Sequence, residues 1–427
     1  MNYDEALNYI ESRAVFGSRP GFERINALLD ALDHPEKGLK YVHVAGTNGK
    51  GSVCTETASI LSSAGYKTGL FTSPYVSDFR ERIQLDGEYI DKSALADITE
   101  KVKKVVDKLD EEDNSPTEFE VITAIAFLFF KSERCDIVVL EVGLGGLLDS
   151  TNVIDTPLVS AIVSLSFDHM GVLGDTIEEI AAQKAGIIKE GGVTISAPHQ
   201  LDSALKVLET TAKEKNNEFI IADESGIEIR SENIDGQIVR FDGMNVTLPL
   251  IGRHQIDNLS VTLCIIKSLI KQGFSIPKSA IAMGLEAVKI PARVEVLNHN
   301  PLIILDGGHN EDGAHALAKT LSAYVNMPIT LVLGVMADKE VDAVIGHLAP
   351  LAKCVVTTKP SNPRAMGSEE LAGKIKAICN NIKSCDDPCK AFDLARASVS
   401  SDEALVVCGS LYLAGDVRSH MLDFISS

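Results

Sequence analysis

The stretch from residue 41 to 63, YVHVAGTNGKGSVCTETASILSS, narrows the possible folds more than any other. Five largely apolar residues run into a glycine-rich turn, and a helix-like pattern follows. Strand, glycine turn and helix is the arrangement in which backbone N–H groups and a positive helix end cradle phosphate oxygens. Thr47, Asn48, Gly49, Lys50, Gly51 and Ser52 are therefore the candidate phosphate contacts. Lys50 would neutralise the β- and γ-phosphates, and Ser52 would offer its hydroxyl to Mg²⁺. The spacing departs from the common G-x-x-x-x-G-K-[ST] pattern, because Gly51 separates the lysine from the hydroxyl. The competing reading is a tight turn with an incidental lysine. On physical grounds alone the segment predicts Mg-nucleotide binding at the edge of a parallel sheet.

Strand-like runs alternate with helical patterns along most of the chain, which indicates α/β architecture with a largely parallel sheet. YVHVA, KTGLF, IVVLEV and VSAIVSL are the expected strands of the first half. Residues 219–250 change character to short alternating segments broken by Gly and Asn, which predicts a small antiparallel appendage. The alternation restarts with LIILD, ITLVL, CVVTT and ALVVC. The expected organisation is a P-loop-containing, mostly parallel sheet domain with its appendage over residues 1–297, followed by a smaller Rossmann-like α/β domain over residues 298–427.

Composition excludes several classes. With 45% apolar and 23% charged residues the chain is ordinary globular material, not a disordered one. Its 40 Lys and Arg against 60 Asp and Glu leave a formal charge of −20, which argues against a nucleic-acid partner. The longest apolar run, residues 121–130, is shorter than the roughly 20 residues of a membrane span and reads as a buried helix. The acidic, amphipathic start MNYDEALNYIESR lacks the layout of a secretory signal. A cytoplasmic protein without membrane attachment, and most simply a monomer, is expected. The eight cysteines include no C-x-x-C pair, so free thiols are the expectation and no metal is assigned to them.

Glu141 ends the strand IVVLEV, at the carboxyl edge where ligands bind in parallel sheets, and Asp168 and His169 follow the strand VSAIVSL. Anionic groups on neighbouring strand ends can hold a hard divalent cation facing the phosphate loop. Lys184 lies in the helical pattern TIEEIAAQKAGIIK, where the simplest account is a side chain that snorkels to solvent. Asp306 and His309 follow the strand LIILD, where capping of the next helix would explain them as well as ligand binding does. Phe119 and the residues after it are apolar at helical spacing and would be core in most proteins.

HVAGTNGKGS, FTSPYVSDFRERI, TEFEVITAIAF, LEVGLGG, DSTNVI, SFDHMGVLGDTIEEIAAQKAGIIK, GRHQIDNLSVTL, PARVE, DGGHNEDGA and VVCGSLYLAGDVR occur in this order across nearly the whole chain. Together they resemble the folylpolyglutamate synthase and dihydrofolate synthase family within the Mur ligase superfamily. The resemblance implies an ATP-dependent ligase that adds L-glutamate to a folate, or to dihydropteroate, through an acyl phosphate. It implies ATP contacts at Asn258, Arg293 and Asp306 besides the loop, with Lys50, Lys184 and His309 in the catalytic set. Magnesium would be held by Ser73, Glu141 and His169 together with Ser52. Lys184 would be carbamylated by CO₂, and a monovalent cation could accompany Mg²⁺. Substrate contacts are implied at Ser12, Arg13, Thr117, Glu118, Phe119, Glu120, Leu148, Asp149 and Ser150. Two positions depart from the family pattern. Leu147 stands where many members have arginine, removing a planar cation near the expected substrate pocket. Ala292 stands where many have glycine, which on sequence grounds is a small change in backbone freedom. The alternatives are a peptide ligase of the same superfamily and, from another class, a P-loop nucleotide switch or sensor.

Overall fold

Every residue of Tyr41–Ala45, Ile137–Glu141 and Val159–Ile162 is buried. Strands with no solvent face belong to a parallel sheet covered on both sides. The computed structural model describes residues 1–17, 19–168 and 170–426. It divides into two compact units, the first made of Met1–Pro74, Arg80–Ile227 and Asp257–Val288.

The sheet of the first unit runs in the order Glu88–Tyr89, Ile83–Leu85, Thr68–Phe71, Ile137–Glu141, Tyr41–Ala45, Val159–Ile162, Val193–Ser196, Glu218–Ile221. The six strands from Thr68–Phe71 onward are parallel, and a short antiparallel hairpin closes one edge. Tyr41–Ala45 sits between Ile137–Glu141 and Val159–Ile162. The chain leaves it toward one edge of the sheet and later returns to build the other. The segment after Tyr41–Ala45 therefore stands at a topological switch point, where the carboxyl ends of the strands open a crevice. The apolar run read as a buried helix is Glu118–Ser132, started by a capping box in which the Thr117 side chain and Glu120 bond each other's backbone N–H.

In the second unit a six-stranded sheet runs Glu295–His299, Leu302–Leu305, Ala404–Cys408, Ile329–Leu333, Ala352–Thr357, Ile382–Ser384, with only the first strand antiparallel. Alternate residues face opposite sides. Leu302, Ile304, Leu331, Val355 and Val406 enter one core, while Ile303, Leu305, Val332, Val356 and Val407 enter the other.

The antiparallel appendage is present but narrower than expected, as Glu228–Asn233, Gly236–Phe241 and Met244–Leu248. Asp242 and Gly243, with φ of 47° and 81°, form the two-residue turn that closes its second hairpin. Glu218–Ile221, read as part of the appendage, instead adds a parallel edge strand to the large sheet. An edge strand is half-exposed, as Glu218–Ile221 is, so its pattern does not reveal its partner. The compact units also divide at Val288 and Lys289, and the appendage groups with the second. A boundary between residues 297 and 298 would cut the strand Glu295–His299, which is paired with Leu302–Leu305. Among the described residues no helix is long and apolar enough to cross a membrane.

Candidate active site

The glycine turn after Tyr41–Ala45 is fixed by backbone pairing to the neighbouring strand end. Thr47 N–H donates to the Ser164 carbonyl at 2.8 Å, and Ser164 Oγ donates to the Asn48 carbonyl at 3.0 Å. The helix Lys50–Ser63 then begins with Gly49 as its N-cap. The N–H groups of its first turn lack intrahelical acceptors, which leaves a ready anion site. Gly49 has φ +93°, and a Cβ there would stand 2.2 Å from Asn258 Oδ1. Both facts demand glycine. Gly49→Ala is therefore expected to weaken ATP binding tenfold or more, because strain of about 1–2 kcal/mol adds to displacement of Asn258. Calorimetric titration with ATP checks this, and unchanged affinity would refute the placement.

Lys50 Nζ donates to the carbonyls of Gly46 and Thr47 at 3.2 and 3.1 Å, which keeps the ammonium over the loop. Lys184, on the helix Ile177–Ala185, is 4% exposed, so it does not snorkel to solvent. Its Nζ also donates to the Gly46 carbonyl, at 2.9 Å. Burial first, and then the Lys50 charge, lowers its pKa to about 7, with Asp168 and Asp149 opposing. Two lysine amino groups thus share one carbonyl oxygen of the phosphate loop.

Glu141 is 4% exposed, and its Oε2 accepts the Ser73 N–H at 3.1 Å. A Cβ on Gly51 would lie 3.8 Å from the same oxygen, so the carboxylate borders the first helical turn. Ser52 is buried in that turn. Hard oxygen donors brought together from a strand end, the Ser73 loop and the phosphate loop suit Mg²⁺. His169 lies outside the described residues. Arg82 was not expected on sequence grounds. It is buried and directs Nη1 to Ser73 Oγ at 3.4 Å. Only its place in the block FTSPYVSDFRERI could have signalled it.

The expected substrate-side residues divide by their partners. Arg13 is buried, binds both Asp110 oxygens at 2.7 and 2.8 Å, and donates to the Pro116 carbonyl. Glu120 accepts from Thr117 and from Arg24 Nε. Asp149 accepts from Leu144 N–H and from Thr151 N–H and Oγ1, while burial raises its pKa. These four hold the frame. Ser12 Oγ bonds the Tyr9 carbonyl on an exposed helix end. Phe119 packs on Phe71 at 5.9 Å between ring centroids and against the Cα of Gly143. Glu118 is partly buried and has a raised pKa from that burial, which Arg82 opposes. Ser150 is buried in the short helical turn Ser150–Val153, whereas Leu147 and Leu148 are each 42% exposed. Leu147 N–H donates to the Gln183 carbonyl at 2.7 Å, which seats the glycine loop on the helix that carries Lys184.

In the second unit Asp306 is buried after Leu302–Leu305 and accepts from the N–H groups of Val294 and Gly308, at 2.9 and 2.8 Å. Burial raises its pKa, while the Arg293 charge lowers it. The carboxylate so ties the Arg293 segment to the strand end, and capping of the helix Glu311–Tyr324 falls to Asn310. His309 Nδ1 lies 3.3 Å from the Gly307 carbonyl. Ala292 and Val294 have φ of 54° and 48°. Alanine in place of glycine here is thus a larger departure than the sequence suggested, at about 1–2 kcal/mol of backbone strain.

Residues 44–266 match the Mur ligase middle domain, and residues 292–411 match the Mur ligase glutamate ligase domain. The dihydrofolate synthase/folylpolyglutamate synthase of Bacillus subtilis is 35% identical, covering 98% of this chain and 99% of its own. The folylpolyglutamate synthase of Lacticaseibacillus casei is 34% identical over 99% of each. Among solved structures, Mycobacterium tuberculosis folylpolyglutamate synthase complexed with ADP and AMPPCP matches with a TM-score of 0.89 at 30% identity, covering 98% of this chain and 99% of its own. With both Mur ligase domains in order and full-length likeness to these enzymes, the chain belongs to the folylpolyglutamate synthase/dihydrofolate synthase family of Mur ligases.

Proposed function

We propose that this chain is an ATP-dependent ligase joining the amino group of L-glutamate to the γ-carboxylate of a folate. The observation that carries the chemistry is one cluster at the switch point, in which the phosphate loop, Glu141 and buried Lys184 converge. The acceptor class rests on the relatives, whose names are those of folylpolyglutamate and dihydrofolate synthases.

In this scheme a folate carboxylate oxygen attacks the γ-phosphorus of ATP, the bond to the ADP oxygen breaks, and an acyl phosphate forms. The glutamate amine then attacks the acyl carbon, phosphate leaves, and one proton is released. Lys50 and the first-turn N–H groups bind the phosphates, which makes catalysis mainly electrostatic positioning. Ser52, Ser73, Glu141 and His169 would hold Mg²⁺, which when bound offsets phosphate charge. Asn258, Arg293 and Asp306 are the further nucleotide contacts that the family pattern implies, the arginine suited to phosphate and the aspartate to ribose hydroxyls, and His309 joins the catalytic set. Ser12, Glu118, Phe119, Leu148 and Ser150 contact the folate, with Arg13, Thr117, Glu120 and Asp149 framing them. Leu147 offers an apolar side chain where many members of the family have arginine, which removes one planar cation from beside the acceptor, a folate or dihydropteroate. A monomeric, cytoplasmic enzyme fits this chemistry, and a monovalent cation beside Mg²⁺ is compatible with it.

Carbamylated Lys184 is the form we assign to the working enzyme. The amine is out of solvent and held on the phosphate loop, and only a neutral amine attacks CO₂. With a pKa of about 7, about nine-tenths of Lys184 is neutral at about pH 8, against well under one-hundredth of an ordinary lysine. Bicarbonate-depleted enzyme should regain activity when CO₂ is returned at about pH 8, and far less at about pH 6. A ¹³C carbamate resonance should appear with labelled CO₂ and vanish in Lys184→Met. No resonance in the wild type would remove the modification from the scheme.

The ligase reading itself is tested by ADP release. ATP should be consumed only when folate and glutamate are both present. Turnover with neither would instead identify a nucleotide switch.

A further inference from the structure

Ser52 and Asn258 are residues of the first unit on different helices, and each lies one turn before a fully buried polar residue. Glu56 follows Ser52 at i+4 on Lys50–Ser63, and Thr262 follows Asn258 at i+4 on Arg253–Lys271. Glu56 and Thr262 are both 0% exposed, and Thr262 Oγ1 lies 2.6 Å from Glu56 Oε2. The other carboxyl oxygen, Glu56 Oε1, is buried and makes no hydrogen bond among the described residues. A carboxyl in this place is costly: burial raises its pKa to about 8, with the Thr262 bond opposing, so it is held as the neutral acid at neutral pH.

Two apolar side chains of similar volume would pack there without that cost. What a buried hydrogen bond supplies, and apolar packing does not, is a single register between two elements. Register matters at this position, because a Cβ on Gly49 would come within 2.2 Å of the Asn258 amide oxygen. A slip of one residue, about 1.5 Å along a helix, would drive the amide into the phosphate loop or withdraw it.

We propose that Glu56 and Thr262 are positioning residues which lock the two helices in the register that sets Asn258 against the phosphate loop, and so determine nucleotide affinity. This rests on the reading of the loop and Asn258 as nucleotide contacts. The pair acts through Asn258 and touches no substrate. Its effect therefore falls on ATP and spares folate and glutamate.

The test is a set of four variants assayed as steady-state ligases and titrated with Mg-ATP by calorimetry. Thr262→Val removes the hydroxyl at constant volume, and Glu56→Leu removes the acid. Each should raise KM and Kd for ATP about tenfold, with KM for folate and glutamate within about twofold of wild type. Glu56→Gln and Thr262→Ser retain a hydrogen bond and should restore ATP affinity to within about twofold. Thr262→Val with wild-type ATP affinity would overturn the proposal. So would a rise in the KM of all three substrates that tracks loss of thermal stability, which is the mark of a merely structural pair. Wild-type enzyme that binds no ATP would instead overturn the nucleotide reading on which the proposal stands, a result separable from either.

Discussion

Lys50→Ala is expected to lower kcat by about a hundredfold to a thousandfold at saturating ATP while the protein stays folded. In the proposed scheme the ammonium binds the phosphates, and removing one preorganised electrostatic contact to developing charge costs about that much. The fold should tolerate the change. Among the described residues Lys50 Nζ bonds the carbonyls of buried Gly46 and half-buried Thr47. Losing two such bonds removes about 1–3 kcal/mol at most. Steady-state kinetics beside a melting curve separates the two effects. Full activity at saturating ATP would show that the loop does not serve phosphoryl transfer.

The second large effect is on stability. Glu56 has a pKa raised to about 8 in the fold by burial, against an ordinary value of 4.5. Between those values the folded chain keeps a proton that the unfolded chain has released. Stability must then fall as pH rises through this window, by up to about 1.4 kcal/mol per unit, and level off above the folded pKa. Summed over the window the cost is on the order of a few kcal/mol. Glu56→Gln has no proton to lose. Urea unfolding at about pH 5 should find the variant and the wild type similar, whereas at about pH 8.5 the variant should be the more stable by several kcal/mol. Parallel pH profiles would mean that Glu56 is ionised within the fold.

The sequence was most legible where local pattern and tertiary demand agree. The strand Tyr41–Ala45 and the helix start at Lys50 follow directly from YVHVA and the glycine turn, since few other folds use that succession. Ile329–Leu333 and Ala404–Cys408 were equally plain, because strands buried on both faces are continuous apolar runs. Val193–Ser196 was missed, as a four-residue strand carries little pattern. Lys184 shows a deeper limit. Its helix reads as amphipathic, and nothing local says whether the amine reaches water or is sealed under the Gly46 carbonyl. Residue type was ambiguous at Arg13 and Asp149 for a related reason. A guanidinium or carboxylate suits a substrate as well as it suits Asp110 or the Thr151 backbone, and only the folded chain shows the partner. Glu56 and Thr262 were invisible in sequence because their significance lies wholly in a contact 206 residues apart.

The most direct measurement is the mass of the product formed from ATP, Mg²⁺ and isotope-labelled glutamate, with a reduced folate and dihydropteroate supplied in parallel. A folate heavier by one labelled glutamyl residue, formed together with ADP and phosphate, is the predicted result. Labelled product from dihydropteroate as well would extend the enzyme to both synthase reactions. Unchanged masses for both acceptors, in protein shown to bind ATP, would contradict the account and turn attention to a peptide-type acceptor.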